Sequence, residues 1–422
     1  MRYQPAIAPL GAILAVVLAA CGGGAAVPAS APPASAPKPA ASTPASAAPA
    51  SAAASAKPAA SGAASAAASD ATASAKPKPT LVPDVPADTT TVTFTTTAIP
   101  GTEGKAISSD IIDMDQEAHM VYAADRTTGG VDVFDATSST PRFAKTIKTS
   151  DAPNGVIVAK NVGRLVAGLN DGNVASIDLA TGQVAGSVST GGKKRADELD
   201  YDPKDKKVYA ANSDDGFMSA IDMTSFKVVK KIDGLGDALE QPRYDAADGM
   251  VYLTGSGTNT LYQIDPAKDE VTKKIAMPNG CKPSGIWMNP KTNIGLISCD
   301  PHPIVWDFNA QKMVASLDQT GKGDQVTYDA KTDLFFLGEA GWNHGPHIGI
   351  AGGSPPKFIT NIPTPGGNHN NSVLDETNMV VYAMGGNGML SFALPAKVLG
   401  SASAAASGSA AAKPAASAKP SA

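Results

Sequence analysis

Four of the five histidines in this chain lie close to the ends of predicted β-strands in its C-terminal third. His302, His344 and His347 follow two neighbouring β-runs, and His369 precedes a third; the loop that carries the middle two also contains Trp342. Imidazole nitrogens at such positions can bind a transition metal such as Zn²⁺. Because a His-x-x-His spacing in a Gly-Pro loop has no fixed helical geometry behind it, solvated loop histidines are the alternative interpretation.

Acidic and amide side chains recur where β-runs begin. Seven such starts are polar, at Asp110, Asn154, Asp197, Glu240, Ser284, Asp324 and Asn370, and the next positions include Glu198, Gln241, Gln325 and Asn371. Carboxylate and amide oxygens suit a hard cation such as Ca²⁺. The sequence therefore offers Asp110, Asp197, Glu240, Asp324, His344 and His369 as candidate metal ligands. A hydrated polar pore whose side chains cap backbone amides is the favoured alternative.

The three cysteines predict two different modifications. Cys281 precedes one β-run and Cys299 ends the next, so an antiparallel pairing would make them neighbours. In an oxidising compartment we expect a disulfide there, and closing its 18-residue loop would contribute about 3 kcal/mol in the chain-entropy model. Cys21 follows an apolar segment and a Leu-Ala-Ala sequence. This pattern resembles a bacterial lipobox, which implies cleavage before Cys21 and lipidation of its thiol.

A sequence repeat of about 43 residues recurs along the chain. The strands of this repeat must position the side chains named above. The second β-run of the repeat, which is the third strand of a predicted blade, ends in aspartate in five copies, at Asp135, Asp178, Asp222, Asp265 and Asp307. A unit of this length with strands and no helix is typical of one blade of a β-propeller. Seven copies predict an all-β, seven-bladed propeller of four-stranded antiparallel blades. The seventh copy lacks a fourth strand, so we expect residues 92–99 to close the last blade.

Most of the recurring acids have an ordinary structural explanation. The first strands end in Asp115, Asp202, Asp245, Asn289, Asp329 and Asp375. A short carboxylate or amide at a tight turn accepts hydrogen bonds from backbone amides. We therefore assign these residues, and the aspartates that end the third strands, to turn structure.

The repeat resembles the YVTN family of seven-bladed propellers, a WD40-like repeat. The matching stretches are Val-Tyr-Ala-Ala-Asn at residues 208–212 with Ala-Ile-Asp at 220–222, and Ser-Ile-Asp-Leu-Ala-Thr-Gly at 176–182. The resemblance covers residues 85–397 and implies a fold rather than an activity. Blades 6 and 7 depart from it. The later blades also resemble periplasmic propellers with a Cys-x-Pro-x-Gly strand, here residues 281–285, for which the resemblance implies no activity.

Composition divides the chain into four parts. Residues 1–20 have the character of a lipoprotein signal peptide, and residues 21–84 are an Ala/Ser/Pro-rich segment that we expect to be a disordered tether. Residues 85–397 hold the repeats, and residues 398–422 return to the composition of the tether. The expected location is extracytoplasmic, at a membrane, in the periplasm or at the cell surface.

Charge argues against nucleic acid as the main partner. The chain has 34 basic and 39 acidic residues. Seven of the bases and one of the acids lie outside residues 81–397, which leaves that region with a net charge of −11. An acidic domain repels a phosphate backbone.

These observations favour a monomeric, non-catalytic module that binds a small molecule or a protein through one face of blades 5–7. The candidate residues on that face are His302, His344, His347, His369, Trp342, Asn370, Asp324 and Gln325. The alternative is a metal-dependent hydrolase or lyase, similar to a lactonase, with a cation at the mouth of the central channel. A third interpretation is a structural surface protein. The sequence contains no nucleophile elbow, phosphate loop or haem attachment motif.

Overall fold

A computed structural model describes residues 88–339, 345–366 and 371–401, without the side chain of Glu339. The predicted signal peptide, the predicted tether and Cys21, the predicted site of lipidation, lie outside the described residues. So do Trp342, His344, His369 and Asn370. No helix in the described ranges is long and apolar enough to cross a membrane.

The described chain forms seven four-stranded antiparallel sheets, one for each predicted blade. The N-terminal strand is β1 (Thr95–Thr97), and blade 1 contains β2 (Ser109–Asp115), β3 (Met120–Asp125), β4 (Gly130–Asp135) and β5 (Arg142–Lys148). Blade 2 contains β6 (Pro153–Ala159), β7 (Arg164–Leu169), β8 (Asn173–Asp178) and β9 (Val184–Ser189). Blade 3 contains β10 (Leu199–Asp202), β11 (Lys207–Asn212), β12 (Phe217–Asp222) and β13 (Lys227–Ile232). Blade 4 contains β14 (Leu239–Asp245), β15 (Met250–Gly255), β16 (Thr260–Asp265) and β17 (Glu270–Ala276).

The last three blades follow the same order. Blade 5 contains β18 (Ile286–Asn289), β19 (Ile294–Ile297), β20 (Ile304–Asp307) and β21 (Lys312–Ser316). Blade 6 contains β22 (Val326–Asp329), β23 (Leu334–Glu339), β24 (His347–Gly352) and β25 (Lys357–Pro363). Blade 7 contains β26 (Ser372–Asp375), β27 (Val380–Gly385) and β28 (Gly388–Ala393). The chain also forms a 3-10 turn at Lys160–Val162 and a helical turn over residues 396–401.

The seventh sheet closes the ring in the predicted way. Its strand order is β1-β28-β27-β26, with Thr96 opposite Leu390. Blade 7 therefore takes its outermost strand from the N-terminal end, and the closure covers two sheet edges that would otherwise be open. The C-terminal boundary differs slightly from the expectation. Val398, which the sequence analysis placed at the start of the tail, is buried in a cluster with Phe392 and Leu394.

Two faces of the propeller can be distinguished from the strand directions. The upper face holds the starts of the first strands and the ends of the second strands. The lower face holds the turns between first and second strands and those between third and fourth strands. Apolar side chains fill the space between neighbouring sheets, as where Tyr209, Leu253 and Ile264 pack in one cluster from blades 3 and 4.

The recurring aspartates have the structural role that the sequence predicted. Asp115 accepts hydrogen bonds from the backbone amides of Glu117 and Ala118, and Asp202 does the same for Lys204 and Asp205. At the end of a third strand, Asp178 accepts the amide of Thr181 at 3.0 Å. These carboxylates stabilise the lower-face turns.

Candidate functional site

The seven first strands surround an axial cavity of about 370 Å³. Alternate residues of a strand point to the same side. Counting back two residues from the end of each first strand gives a lower ring of Asp113, Ile157, Asp200, Arg243, Trp287, Thr327 and Val373. Counting back four gives an upper ring of Ile111, Gly155, Glu198, Gln241, Gly285, Gln325 and Asn371. All of these residues except Gly155 and Gly285 line the cavity.

A buried cation dominates the lower ring. The Arg243 guanidinium donates from Nη1 to Oδ1 of Asp200 at 2.7 Å and lies 3.6 Å above the centre of the Trp287 ring. Both members of the ion pair are buried. Arg243 Nε has no hydrogen-bond partner among the described residues. The ion pair joins blades 3 and 4, and the cation–π contact extends the link to blade 5.

Asp113 occupies the same ring on blade 1. Its two carboxylate oxygens accept the backbone amides of Met114 at 2.8 Å and Val158 at 2.7 Å. Burial raises the pKa of Asp113 to about 6, against the opposing effect of these two hydrogen bonds. Asp200 accepts the amide of Tyr244 in the same manner. Both aspartates therefore bind the first strand of the next blade as well as lining the cavity.

A bridge across the axis separates the cavity from the upper face. Gln325 Nε2 of blade 6 donates to Oε1 of Glu198 on blade 3, which is nearly opposite in a ring of seven. Burial raises the pKa of Glu198 well above its usual range, and the neighbouring charge of Asp197 adds to this effect. Gln241 accepts the amide of Ile286 at 2.6 Å. The cavity reaches the lower face, where Gln116, Pro203 and Glu376 line it.

The predicted acidic positions do lie around the upper mouth, but most of them are engaged by basic or polar groups. Asp110 forms an ion pair with Arg126, and Asp197 forms one with Arg195 at 3.2 Å. Glu240 accepts a hydrogen bond from Ser256 at 2.7 Å, and Asp324 is half-buried. Burial and the nearby charge of Asp110 raise the pKa of Asp197 to about 8.

No group of three or more His, Cys, Asp or Glu residues is placed to hold a metal ion within residues 88–339, 345–366 and 371–401. Two of the six candidate ligands, His344 and His369, lie outside those ranges. The Ca²⁺ or Zn²⁺ site therefore stays a prediction.

His302 and His347 meet at the boundary of blades 5 and 6, where both are buried. The His302 Nδ1–H donates to the carbonyl of Thr320 at 2.8 Å. His347 donates from Nδ1 to the carbonyl of Gly345 at 2.9 Å, so its Nε2 accepts from the Thr320 hydroxyl at 3.1 Å. One residue thus connects the two imidazoles. In their described contacts, the two imidazoles hold the upper-face loops in place by hydrogen bonds to Thr320 and Gly345.

The predicted disulfide is present between Cys281 and Cys299, with Cα atoms 4.4 Å apart. Both residues are buried on the upper side of blade 5, in a cluster with Ile286. The bridge fixes the segment before β18 to the end of β19, directly before the loop that carries His302.

The sequence analysis missed the cluster of Asp200, Arg243 and Trp287. Each occupies the same repeat position, two residues before the end of a first strand, where the other blades carry Asp113, Ile157, Thr327 and Val373. An alignment on the first strands would have shown charged and aromatic residues facing the axis. The analysis of the repeat stopped at the strand ends and therefore gave no weight to them.

Comparison with known proteins establishes the fold and no family. No protein-family model matches the chain, and no curated protein matches it significantly. A chain in the crystal structure of a mitotic checkpoint complex is similar with a TM-score of 0.61 at 14% identity, over 76% of this chain and 99% of that one. A chain of Kuenenia stuttgartiensis hydrazine synthase is similar with a TM-score of 0.58 at 14% identity, over 70% and 99%. At this identity the likeness concerns the propeller alone, a fold that in general suits a protein-binding module.

Proposed function

We propose that this protein is a non-catalytic binding module, tethered outside the cytoplasm by a lipid on Cys21, which binds a partner protein through the upper face of blades 5–7. The observation that carries the proposal is the network joining blades 5 and 6 on that face. A disulfide holds Cys281 to Cys299, and Thr320 connects His302 to His347.

Rigidity is what makes this network relevant to binding. A loop that is already ordered loses less conformational entropy when a partner docks on it. The network spans a blade boundary, so it holds loops from two blades in one arrangement. It also lies where the chain departs from its own repeat. Loops that depart from a regular scaffold are common sites of binding.

The imidazoles support a binding role more than a catalytic one. Both are buried, and the carbonyl of Gly345 fixes the tautomer of His347 by accepting a hydrogen bond from its Nδ1. A metal-dependent hydrolase would instead need at least three side chains that converge on one cation with an open position. Elemental analysis of the untagged protein separates the two functions. A stoichiometric metal that is lost on joint substitution of His344 and His369 would favour the hydrolase.

Site-specific photocrosslinking tests the docking face. A photoreactive residue is placed at Lys282 or Pro365 on the upper face, and at Lys291 or Thr377 on the lower face, all four of which are exposed. In the tethered protein in its own cells, we expect the two upper positions to give the same adduct and the two lower positions to give none of it. An adduct formed only from the lower positions, or no adduct at all, contradicts the proposal.

The lipid anchor has a separate test. The mature wild-type protein should partition into the detergent phase of a two-phase extraction, and Cys21→Ser should move it into the aqueous phase. The substitution removes the thiol that would carry the lipid, so a difference between the two proteins reports on Cys21. Unchanged partitioning of the variant contradicts the anchor and leaves the docking face to be judged by its own result.

A further inference from the structure

A groove of about 540 Å³ lies between blades 1 and 2 on the lower face, away from the proposed docking face. Its floor is apolar, with Tyr122, Val133 and Ile147 from blade 1 and Ile177 from blade 2. Lys145 lies at its outer part and is exposed. The groove is present because of one turn residue, as the homologous boundaries show.

In blades 2 to 5, the turn between the third and fourth strands has one residue with a positive φ at the same position. These residues are Gly182 (φ 65°), Phe226 (φ 49°), Asp269 (φ 53°) and Gln311 (φ 53°) in blades 2 to 5. Phe226 packs into the cluster between blades 2 and 3 that contains Val166. Gly182 brings no side chain, so the boundary of blades 1 and 2 remains unfilled.

The boundary of blades 3 and 4 shows what the same surface accepts. On blade 3, Tyr209 and Lys230 both lie opposite Ala220 in the sheet, on either side of it. The Tyr209 hydroxyl donates to Oδ1 of Asp269 at 2.7 Å, and Lys230 pairs with Glu270 at 3.5 Å. Two consecutive acids of blade 4 thus bind a tyrosine and a lysine of blade 3.

Blade 1 has the same tyrosine and lysine as blade 3, but blade 2 lacks the two acids. Tyr122 and Lys145 both lie opposite Val133, in the register of Tyr209 and Lys230. The residues that face them are Gly182 and Gln183, in place of Asp269 and Glu270. Among the described contacts, no carboxylate is hydrogen-bonded to Tyr122 or paired with Lys145.

The remaining charges of the groove are already paired. Lys160 forms an ion pair with Asp115 at 2.6 Å, and Arg164 forms one with Asp178 at 2.6 Å. Lys145 is therefore the cation that an incoming carboxylate would meet. A positive side chain above an apolar floor, on a domain of net charge −11, selects an acidic partner with apolar neighbours.

We propose that this groove docks an acidic turn of a partner polypeptide, with a carboxylate held between the Tyr122 hydroxyl and the Lys145 ammonium. The volume accommodates the carboxylate together with flanking apolar side chains. The turn of Asp269 supplies such a carboxylate to blade 3, two boundaries away. A docked turn would supply two acids equivalent to Asp269 and Glu270, in whose place blade 2 has Gly182 and Gln183.

The experiment uses the full chain carrying Cys21→Ser and a cyclised peptide that copies residues 262–273, the hairpin with Asp269 and Glu270. The control peptide carries Asn and Gln at those two positions. By calorimetry or NMR titration we expect the acidic peptide to bind at least tenfold more tightly than the amide peptide. The difference should shrink as salt is added, because the contact is ionic.

Three variants locate the binding. Gly182→Asp with Gln183→Glu supplies the missing acids from within the chain, and it should weaken peptide binding at least tenfold. The flexible end of Lys145 lies where the new side chain begins, and it can move to pair with it. Lys145→Glu should weaken binding equally, and its exposed position preserves the fold. Gln311→Asp makes the same kind of change in the homologous turn of blade 5 and should leave binding unchanged.

Several results would overturn the proposal. Equal affinity for the two peptides removes the carboxylate from the argument. Binding that persists in a folded Lys145→Glu variant places the peptide elsewhere, as does equal weakening by Gln311→Asp. No binding of the acidic peptide at millimolar concentration also overturns it.

Discussion

Two blade boundaries of this propeller are held together by different physical means. Blades 3 and 4 are joined by ion pairs: Arg243 with Asp200 at 2.7 Å, Lys207 with Asp269 at 2.7 Å, and Lys230 with Glu270 at 3.5 Å. Blades 5 and 6 are joined through hydrogen bonds of Thr320 to His302 and His347, beside the disulfide of blade 5. The first boundary contains three ion pairs, whereas the Thr320 contacts of the second join neutral groups.

The difference follows from where each boundary has its contacts. The boundary of blades 3 and 4 is charged at the axis, where burial makes an unpaired charge costly, and on the lower face, where the side chains of Lys230 and Glu270 are exposed. The network of blades 5 and 6 lies on the upper face, next to the loops of the proposed docking surface. A surface that must stay unchanged while a partner binds benefits from links that salt does not screen.

The largest effect is expected from Arg243→Met. The substitution leaves Asp200 buried without its cation, and breaking a buried ion pair in this way costs about 3–5 kcal/mol. The free energy of unfolding in urea measures the loss. The matched control is the double variant Arg243→Met with Asp200→Asn, which should recover most of it because no buried charge remains. Equal destabilisation in both variants would show that packing on Trp287 matters more than the charge.

The sequence predicted much of the fold and less of these contacts. The 43-residue period and the unpaired β-run at residues 92–99 were sufficient for seven blades and their closure. The positions of Cys281 and Cys299 relative to the strands were sufficient for the disulfide. Periodicity fixes which residues form strands, but it does not show which blade a side chain reaches. Thus a single repeat could not show that Arg243 pairs with Asp200, or that Gly182 leaves the groove without the side chain that the homologous turns provide.

For the candidate site, the sequence predicted the region of the fold in which the residues lie better than it predicted their partners. Gln325 was expected on the binding face, and the structure places it in the channel, bonded to Glu198. His302 and His347 are near each other as their loops suggested, yet both are buried. Burial of a loop histidine depends on the neighbouring blade, here through Thr320, and this contact lies 18 residues from one imidazole and 27 from the other.

Loss of the disulfide is the corresponding change in blade 5, beside its boundary with blade 6. Joint substitution of Cys281 and Cys299 by serine should lower the free energy of unfolding by about 3 kcal/mol, since an 18-residue loop is no longer closed in the unfolded chain. Adding reductant to the wild-type protein should give the same loss, and the serine variant should not respond to it. A response of the variant to reductant would contradict this assignment.

Stability should also depend on pH, through carboxyl groups of the axis and upper mouth. The folded-state pKa is raised to about 6 for Asp113 and about 8 for Asp197. The folded protein then binds more protons than the unfolded chain above pH 4, so stability falls as pH rises towards these values. We expect a loss of about 2 kcal/mol between pH 5 and pH 6. Asp197→Asn should reduce this slope, whereas Asp233→Asn, at an exposed position, should not.

The smallest effect is expected from Thr320→Val, which tests the neutral link between blades 5 and 6. The variant keeps the Thr320 carbonyl, and with it the hydrogen bond from His302, but it removes the hydroxyl that donates to His347 Nε2. Losing one buried hydrogen bond should cost about 1–2 kcal/mol. Because the link is neutral, the loss should be the same at low and high salt, whereas the cost of Lys230→Met, which removes the exposed ion pair with Glu270, should fall at high salt. The free energy of unfolding of both variants at 0.05 M and 1 M salt measures this. A strongly salt-dependent loss in Thr320→Val would mean that His347 is charged in the folded protein, and the contrast between the two boundaries would then disappear.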